Sequence, residues 1–131
     1  MKQLFFIIVV ITFASLANAQ FMYNGSGTTI GRVDGNFFYD GSGNTIGRID
    51  GNFLYDAAGN VKGRMDGNFI YDSSGSQMGR IDSNFLYDAA GNVKARMDGN
   101  FIYDGTGSSI ARAEGLTEIQ KILFVYFFIK K

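Results

Sequence analysis

From Phe21 onward the chain writes short alternations of aromatic and aliphatic residues, breaks them with glycine-rich turns, and returns to the same phrase every 16 residues. The units are 21–36 (FMYNGSGTTIGRVDGN), 37–52 (FFYDGSGNTIGRIDGN), 53–68 (FLYDAAGNVKGRMDGN), 69–84 (FIYDSSGSQMGRIDSN), 85–100 (FLYDAAGNVKARMDGN) and a more divergent sixth, 101–116 (FIYDGTGSSIARAEGL). Residues 49–80 and 81–112 agree at 25 of 32 positions, which reads as duplication of a two-unit block. No helical period is present in these units; the period is two, the mark of strands.

Each unit predicts two strands. In the first, Phe53 and Tyr55 project from one face and Leu54 from the other. In the second, Gly63 and Met65 share a face, and Arg64 and Asp66 share the opposite one. Glycine inside a strand marks close approach of something bulky. Gly31, Gly47, Gly63 and Gly79 are therefore expected to make room for an aromatic ring across the ladder, with Ala95 and Ala111 as the smallest substitutes. Two turns alternate. Asp-Gly-Asn before each Phe is a tight hairpin signal. Tyr-Asp-x-x-Gly fits a type I turn whose carboxylate bonds amides ahead of it.

A 16-residue hairpin is marginal alone, so the copies must shelter one another. The fold class expected is all-β, a closed flower or toroid of tandem hairpins, with a short open β-solenoid as the alternative. Closure is favoured because neither end strand, Phe21 to Asn24 or Ile110 to Glu114, looks like a polar cap. Counted through the Asp-Gly-Asn turn, the chain has five intact hairpins; counted by repeat, it has six units.

Both ends depart from the pattern. Residues 1–19 have a lysine, an apolar run from Leu4 to Leu16 and Ala17-Asn18-Ala19, the form of a cleaved signal peptide. Cleavage after Ala19 would place a mature chain from Gln20 in the periplasm or outside the cell. Residues 117–131 (TEIQKILFVYFFIKK) form an apolar segment too short to span a bilayer. It is expected to pack on the repeats, residues 20–116, as a helix or strand; peripheral contact with a membrane or partner is the other reading.

Composition then removes several function classes. Without Lys2 there are eleven basic and twelve acidic side chains, which is no footprint for nucleic acid. Cysteine, histidine and proline are absent, so thiolate zinc and histidine catalysis are excluded and glycine must make the turns. Each Asp-x-x-Gly turn offers one carboxylate, whereas calcium wants six to eight oxygens. No cofactor is expected. Near-identical copies also supply near-identical environments, and catalysis needs groups whose pKa values differ, so no enzyme is expected.

What remains is repeated surface. Arg48 and Asp50, Arg64 and Asp66, Arg80 and Asp82, and Arg96 and Asp98 form a candidate partner face, although exposed ion pairs contribute only about 0–1 kcal/mol each. A ring of arginines could also hold an anion. Tyr39, Tyr55, Tyr71, Tyr87 and Tyr103, beside Asp and Asn, compose a candidate sugar-stacking set. Aromatic pairs at strand spacing are more often core, and core is the expectation for them. The function expected is a structural or protein-interaction role, with glycan binding as the alternative; the partner is an unknown protein or glycan.

The phrase G-R-[VIM]-D-G-N-F-x-Y-D-x-x-G, set behind a leader and ahead of a phenylalanine-rich tail, resembles the β-flower repeat proteins exported by Bacteroidota. The resemblance covers residues 21–129 and implies hairpins placed around a pseudo-rotational axis; it brings no site residues with it. The chain is more weakly similar to the tyrosine-aspartate repeats of secreted toxins, which are longer and less regular.

Overall fold

The computed structural model describes residues 20–129; the predicted leader, residues 1–19, and the last two lysines lie outside the described residues. Twelve strands follow in order: β1 (Gln20–Asn24), β2 (Thr29–Asp34), β3 (Phe37–Asp40), β4 (Thr45–Asp50), β5 (Phe53–Asp56), β6 (Val61–Asp66), β7 (Phe69–Asp72), β8 (Gln77–Asp82), β9 (Phe85–Asp88), β10 (Val93–Asp98), β11 (Phe101–Asp104) and β12 (Ser109–Glu114). Every strand pairs antiparallel with its sequence neighbours, and β1 pairs with β12, so the sheet closes into a barrel. Closure leaves no unpaired edge, as the apolar end strands require.

The two counts of the repeat are both present in this ring. Six Asp-x-x-Gly-type turns join the strands of each unit, and five tight turns join one unit to the next. The sixth tight junction is not covalent: β12 meets β1, and the Gln20 side-chain amide donates to the Gly115 carbonyl at 2.8 Å.

The turns form as their residues dictate. Asp56 Oδ1 accepts from the amides of Ala58 and Asn60, and Gly59 follows at φ +91°. The same two bonds recur at Asn24, Asp40, Asp72, Asp88 and Asp104. Between Leu54 and Tyr55 the register with β6 slips by one residue, a bulge that sets Lys62 outside the strict alternation. Each Asp-x-x-Gly hairpin carries this bulge, at Ile30, Ile46, Lys62, Met78, Lys94 or Ile110. Four of these bulged residues pack on the core, while the lysines reach tail rings: Lys62 Nζ lies 5.6 Å from the Phe128 centroid, and Lys94 Nζ 5.7 Å from that of Tyr126.

The interior is built in layers. Met22, Phe38, Leu54, Ile70, Leu86 and Ile102 form one fully buried ring, each directly opposite a small residue on the neighbouring strand: Gly31, Gly47, Gly63, Gly79, Ala95 and Ala111. Val33, Ile49, Met65, Ile81, Met97 and Ala113 form the next layer toward the tight turns.

The tail fills what the small residues leave open. Thr117 caps helix α1 (Glu118–Leu123) in a capping box with Gln120, and Phe124–Phe128 continue as a π-helical turn closed by Ile129 N–H to Phe124 O at 2.7 Å. Lys121 donates to Gly99 O at the tight-turn mouth, and Ile129 lines a cavity at the opposite mouth together with Asp104 and Gly105, so the tail threads the barrel. Ile122 to Tyr126 are buried, which spends the apolar run inside rather than on a surface.

The glycines do make room for rings, but not across the ladder. A Cβ on Gly31 would meet Phe124, one on Gly47 would meet Phe128, one on Gly63 Phe127, and one on Gly79 Tyr126. The cross-strand partners themselves are mostly aliphatic, so four rings from the tail take four notches in four alternate strands. The wider π-turn suits this task, because consecutive residues 126, 127 and 128 must reach β8, β6 and β4.

Candidate functional site

With the interior filled by the second residue of each repeat and by the tail, the Phe at the first position and the Tyr at the third position of every repeat face outward. This corrects the expectation that the aromatic pairs are core. The five phenylalanines Phe37, Phe53, Phe69, Phe85 and Phe101 are each 39–44% exposed, and the tyrosines are half-buried. The physical reason is volume: two rings per repeat pointing inward would leave no bore for the tail, whereas glycine and one aliphatic per strand pair do.

Register then assembles a belt. Arg48 on β4 stands opposite Phe37 on β3 and opposite Tyr55 on β5, and its guanidinium lies 4.6 Å over the Tyr55 ring. Arg32 over Tyr39, Arg64 over Tyr71, Arg80 over Tyr87, Arg96 over Tyr103 and Arg112 over Tyr23 repeat the contact at 4.2–4.5 Å. Each guanidinium also meets the acid two residues on: Arg48–Asp50 at 3.6 Å, Arg64–Asp66 at 3.5 Å, Arg80–Asp82 at 3.7 Å, Arg96–Asp98 at 3.6 Å and Arg32–Asp34 at 3.7 Å, with Arg112–Glu114 completing the circle. All four predicted arginine-aspartate pairs and all five predicted tyrosines therefore fall on one outer face, together with phenylalanines that sequence reasoning assigned to the core.

Energetically the pairs position more than they stabilise. An exposed pair contributes about 0–1 kcal/mol, and an exposed cation–π contact about 0.5–1 kcal/mol. Chemically, the belt offers two things. Each guanidinium covers one face of its tyrosine, so the open stacking surface is phenylalanine. Beside it stand guanidinium N–H donors and carboxylate acceptors.

The turn aspartates do different work. Their Oδ1 atoms are spent on their own loops, and the Asn44 amide holds Asp40 below the ordinary carboxylate range. The Ser74 and Thr106 hydroxyls do the same for Asp72 and Asp104. Among the described residues no cluster of three or more acids is arranged to hold a metal. Tyr126 is the one tyrosine drawn inside: only 7% exposed, it donates to the Tyr87 carbonyl at 2.6 Å with Arg80 O at 3.3 Å, and burial pushes its pKa up to about 12. That is a structural anchor for the tail.

A cavity of about 940 Å³ opens at the Asp-x-x-Gly mouth, lined by Ile30, Val93, Ile110, Phe128 and Ile129 with Asp104 and Thr106 at its rim.

A closed barrel of tandem hairpins, threaded by its own tail and ringed by a repeated outer belt, defines a β-hairpin repeat protein of the flower type. The sequence profile of the 5-fold beta-flower protein family matches residues 19–130, and the chain belongs to that family. The barrel here has six repeats, joined by five covalent tight turns. No curated protein and no solved structure matches the chain. Among the described residues no helix is long and apolar enough to cross a membrane.

Proposed function

We propose that the protein is an exported, non-catalytic β-repeat scaffold whose outer belt is a repeated recognition surface. The observation that carries this reading is the placement of five half-exposed phenylalanines at one register, each beside an arginine-acid pair, on a closed barrel. A chain selected only for stability has little use for large apolar rings in water at every repeat, and repeated exposed apolar surface marks interaction. Non-catalysis rests on sameness: the belt copies share one environment, and the groups with shifted pKa values, Asp40, Asp72, Asp104 and Tyr126, are committed to turns or to the tail. Export rests on the leader at residues 1–19.

Two measurements test it. Intact mass of protein recovered from the periplasm or medium should place the first residue at Gln20. A photocrosslinking phenylalanine analogue at position 69, in cells that make the protein, should give adducts that the same analogue at Asn44, in a turn, does not. Equal or absent adducts at position 69 refute the belt as the recognition surface.

A further inference from the structure

We infer that Asn24 is a self-modifying residue, which loses its side-chain amide nitrogen and becomes aspartate, so that all six units carry a turn carboxylate at the same mouth of the barrel. The inference is independent of the belt and of what the belt binds.

The sequence isolates the site. Asn24-Gly25 is the one Asn-Gly pair in the chain, and every other asparagine of the repeats precedes Phe, Thr or Val. Deamidation begins when the main-chain nitrogen of the next residue attacks the asparagine Cγ, and a glycine, having no Cβ, hinders that approach least. Unit 1 is also the exception among its copies. The other five hold an acid at this turn position: Asp40, Asp56, Asp72, Asp88 and Asp104.

The turn supplies the chemistry. Asn24 Oδ1 accepts from the amides of Ser26 at 2.9 Å and Thr28 at 3.0 Å. Those two N–H groups polarise the Cγ carbonyl and stand where negative charge grows on its oxygen as Cγ becomes tetrahedral. The nucleophile is uncommitted: among the described residues the Gly25 N–H makes no hydrogen bond, and residues 25–28 are exposed to water. Its nitrogen must swing onto Cγ, and local opening of the turn permits this, because β1 is held on one side by the non-covalent seam with β12. The Gly25 nitrogen bonds to Cγ and gives its proton to water, the Cγ–Nδ2 bond breaks, and Nδ2 takes a proton from water and leaves as ammonia. This closes a five-membered imide. Water then adds to Cγ and the Cγ–nitrogen bond breaks, which restores the Gly25 amide and leaves an aspartate carboxylate at position 24. One water is consumed and one ammonia released.

The fold also selects the product. Water adding to the main-chain carbonyl would give isoaspartate, whose longer backbone breaks the bonds from Asn24 N–H to Thr28 O and from Gly27 N–H to Asn24 O. Two amides activate Cγ against one on the main-chain carbonyl, and isoaspartate returns through the imide, so the turn collects aspartate. Unit 2 already shows that product. Its turn, Asp40-Gly41-Ser42-Gly43, repeats Asn24-Gly25-Ser26-Gly27 with only the acid changed, and Asp40 Oδ1 accepts from the amides of Ser42 and Asn44 at 2.9 Å each. The Asn44 amide holds the Asp40 carboxyl below its ordinary range, because an ionised oxygen binds an N–H more strongly than a neutral one does.

The test is ageing of the purified protein at pH 8 and 37 °C in H₂¹⁸O, then proteolysis in unlabelled water and mass spectrometry, with isoaspartyl methyltransferase to count isoaspartate. Asn24 should take up one labelled oxygen at least tenfold faster than Asn44, Asn60 or Asn92, and aspartate should exceed isoaspartate at least threefold. The peptide FMYNGSGTT, which has no barrel to steer it, should give isoaspartate in excess. Asn24→Asp supplies the authentic product; the aged protein should co-elute with it on anion exchange and share its urea midpoint. Conversion at Asn24 no faster than at Asn44, isoaspartate in excess in the folded protein, or one product ratio for peptide and protein each overturns the inference.

Discussion

Adding one methyl group at Gly31 should cost the protein stability through a single ring of the tail. A Cβ there would sit 2.5 Å from Phe124 Cε1 and 2.7 Å from Cζ, against 3.5–4.0 Å for ordinary carbon contact, whereas the nearest backbone atom, Tyr39 O, is at 3.2 Å, tight by only a few tenths of an ångström. Phe124 has no easy escape, because it is buried between Phe38, at a centroid distance of 5.3 Å, and Phe128, at 5.6 Å. Overpacking of this kind costs about 1–3 kcal/mol, and the alanine recovers about 0.4–1 kcal/mol by stiffening the unfolded chain. The net expectation for Gly31→Ala is a loss of about 1–2 kcal/mol, read as a lower urea midpoint at unchanged m-value or as a melting point lower by roughly 4 °C per kcal/mol. Phe124→Leu removes the two offending atoms, so in that background Gly31→Ala should cost nothing. Gly79 is the control: there the nearest atom to an added Cβ is the backbone oxygen of Tyr87, so Tyr126→Leu should fail to rescue Gly79→Ala. Gly31→Ala within about 0.3 kcal/mol of the parent, or costs that simply add in the Phe124→Leu background, would refute the notch-and-ring account.

Other consequences are as direct. Tyr126→Phe should lose about 1–2 kcal/mol with the hydroxyl that serves the Tyr87 carbonyl, measured by urea unfolding. Because the folded pKa of Tyr126, about 12, stands above the unfolded value near 10, its contribution is whole below pH 10 and disappears as the pH climbs from 10 to 12; midpoints measured over that range should fall in the parent and flatten in Tyr126→Phe. On the acid side the sign reverses. Asp40, Asp72 and Asp104 are depressed when folded, so their contribution is present above the unfolded value near 3.9 and is lost as pH falls through the lower folded values. Asparagine at those three positions should remove that acid dependence while keeping the turns, since Asn24 already makes the same two bonds. Among the described residues Ser83 alone of the non-glycines holds a positive φ, 58°, where the other tight turns use glycine at 59–61°; Ser83→Gly should raise the melting point, by about 1 kcal/mol of stability.

The strands, both turns and the closure of the ring were legible because each is local or nearly so: period two, Asp-Gly-Asn, Asp-x-x-Gly, and end strands too apolar to be left open. Which face turns inward was not legible. Phe53 and Tyr55 outweigh Leu54 and Gly63 on any scale of apolar size, yet the inward face is the one whose missing volume the tail supplies, and that volume belongs to residues more than fifty positions away. The glycines pointed to rings but could not say whose. The bulge was invisible for a related reason: strict alternation puts Lys62 on the face of Arg64, and only the register slip turns it toward Phe128. The arginine and tyrosine positions of the belt were found by repetition alone, and the phenylalanines were misplaced because solvent-facing rings are the exception that a packing argument discards.

Ring and tail together also set how this gene can grow. Tandem repeats gain copies easily, and residues 49–80 and 81–112 read as such a copy. Another 16-residue unit would add two strands and about 10 Å of circumference, drawing the glycines away from the rings that occupy them. A segment outside the repeat therefore acts as its ruler: a seven-unit ring would need a thicker tail, and a change in copy number would have to wait for, or compel, a matching change in residues 124–128.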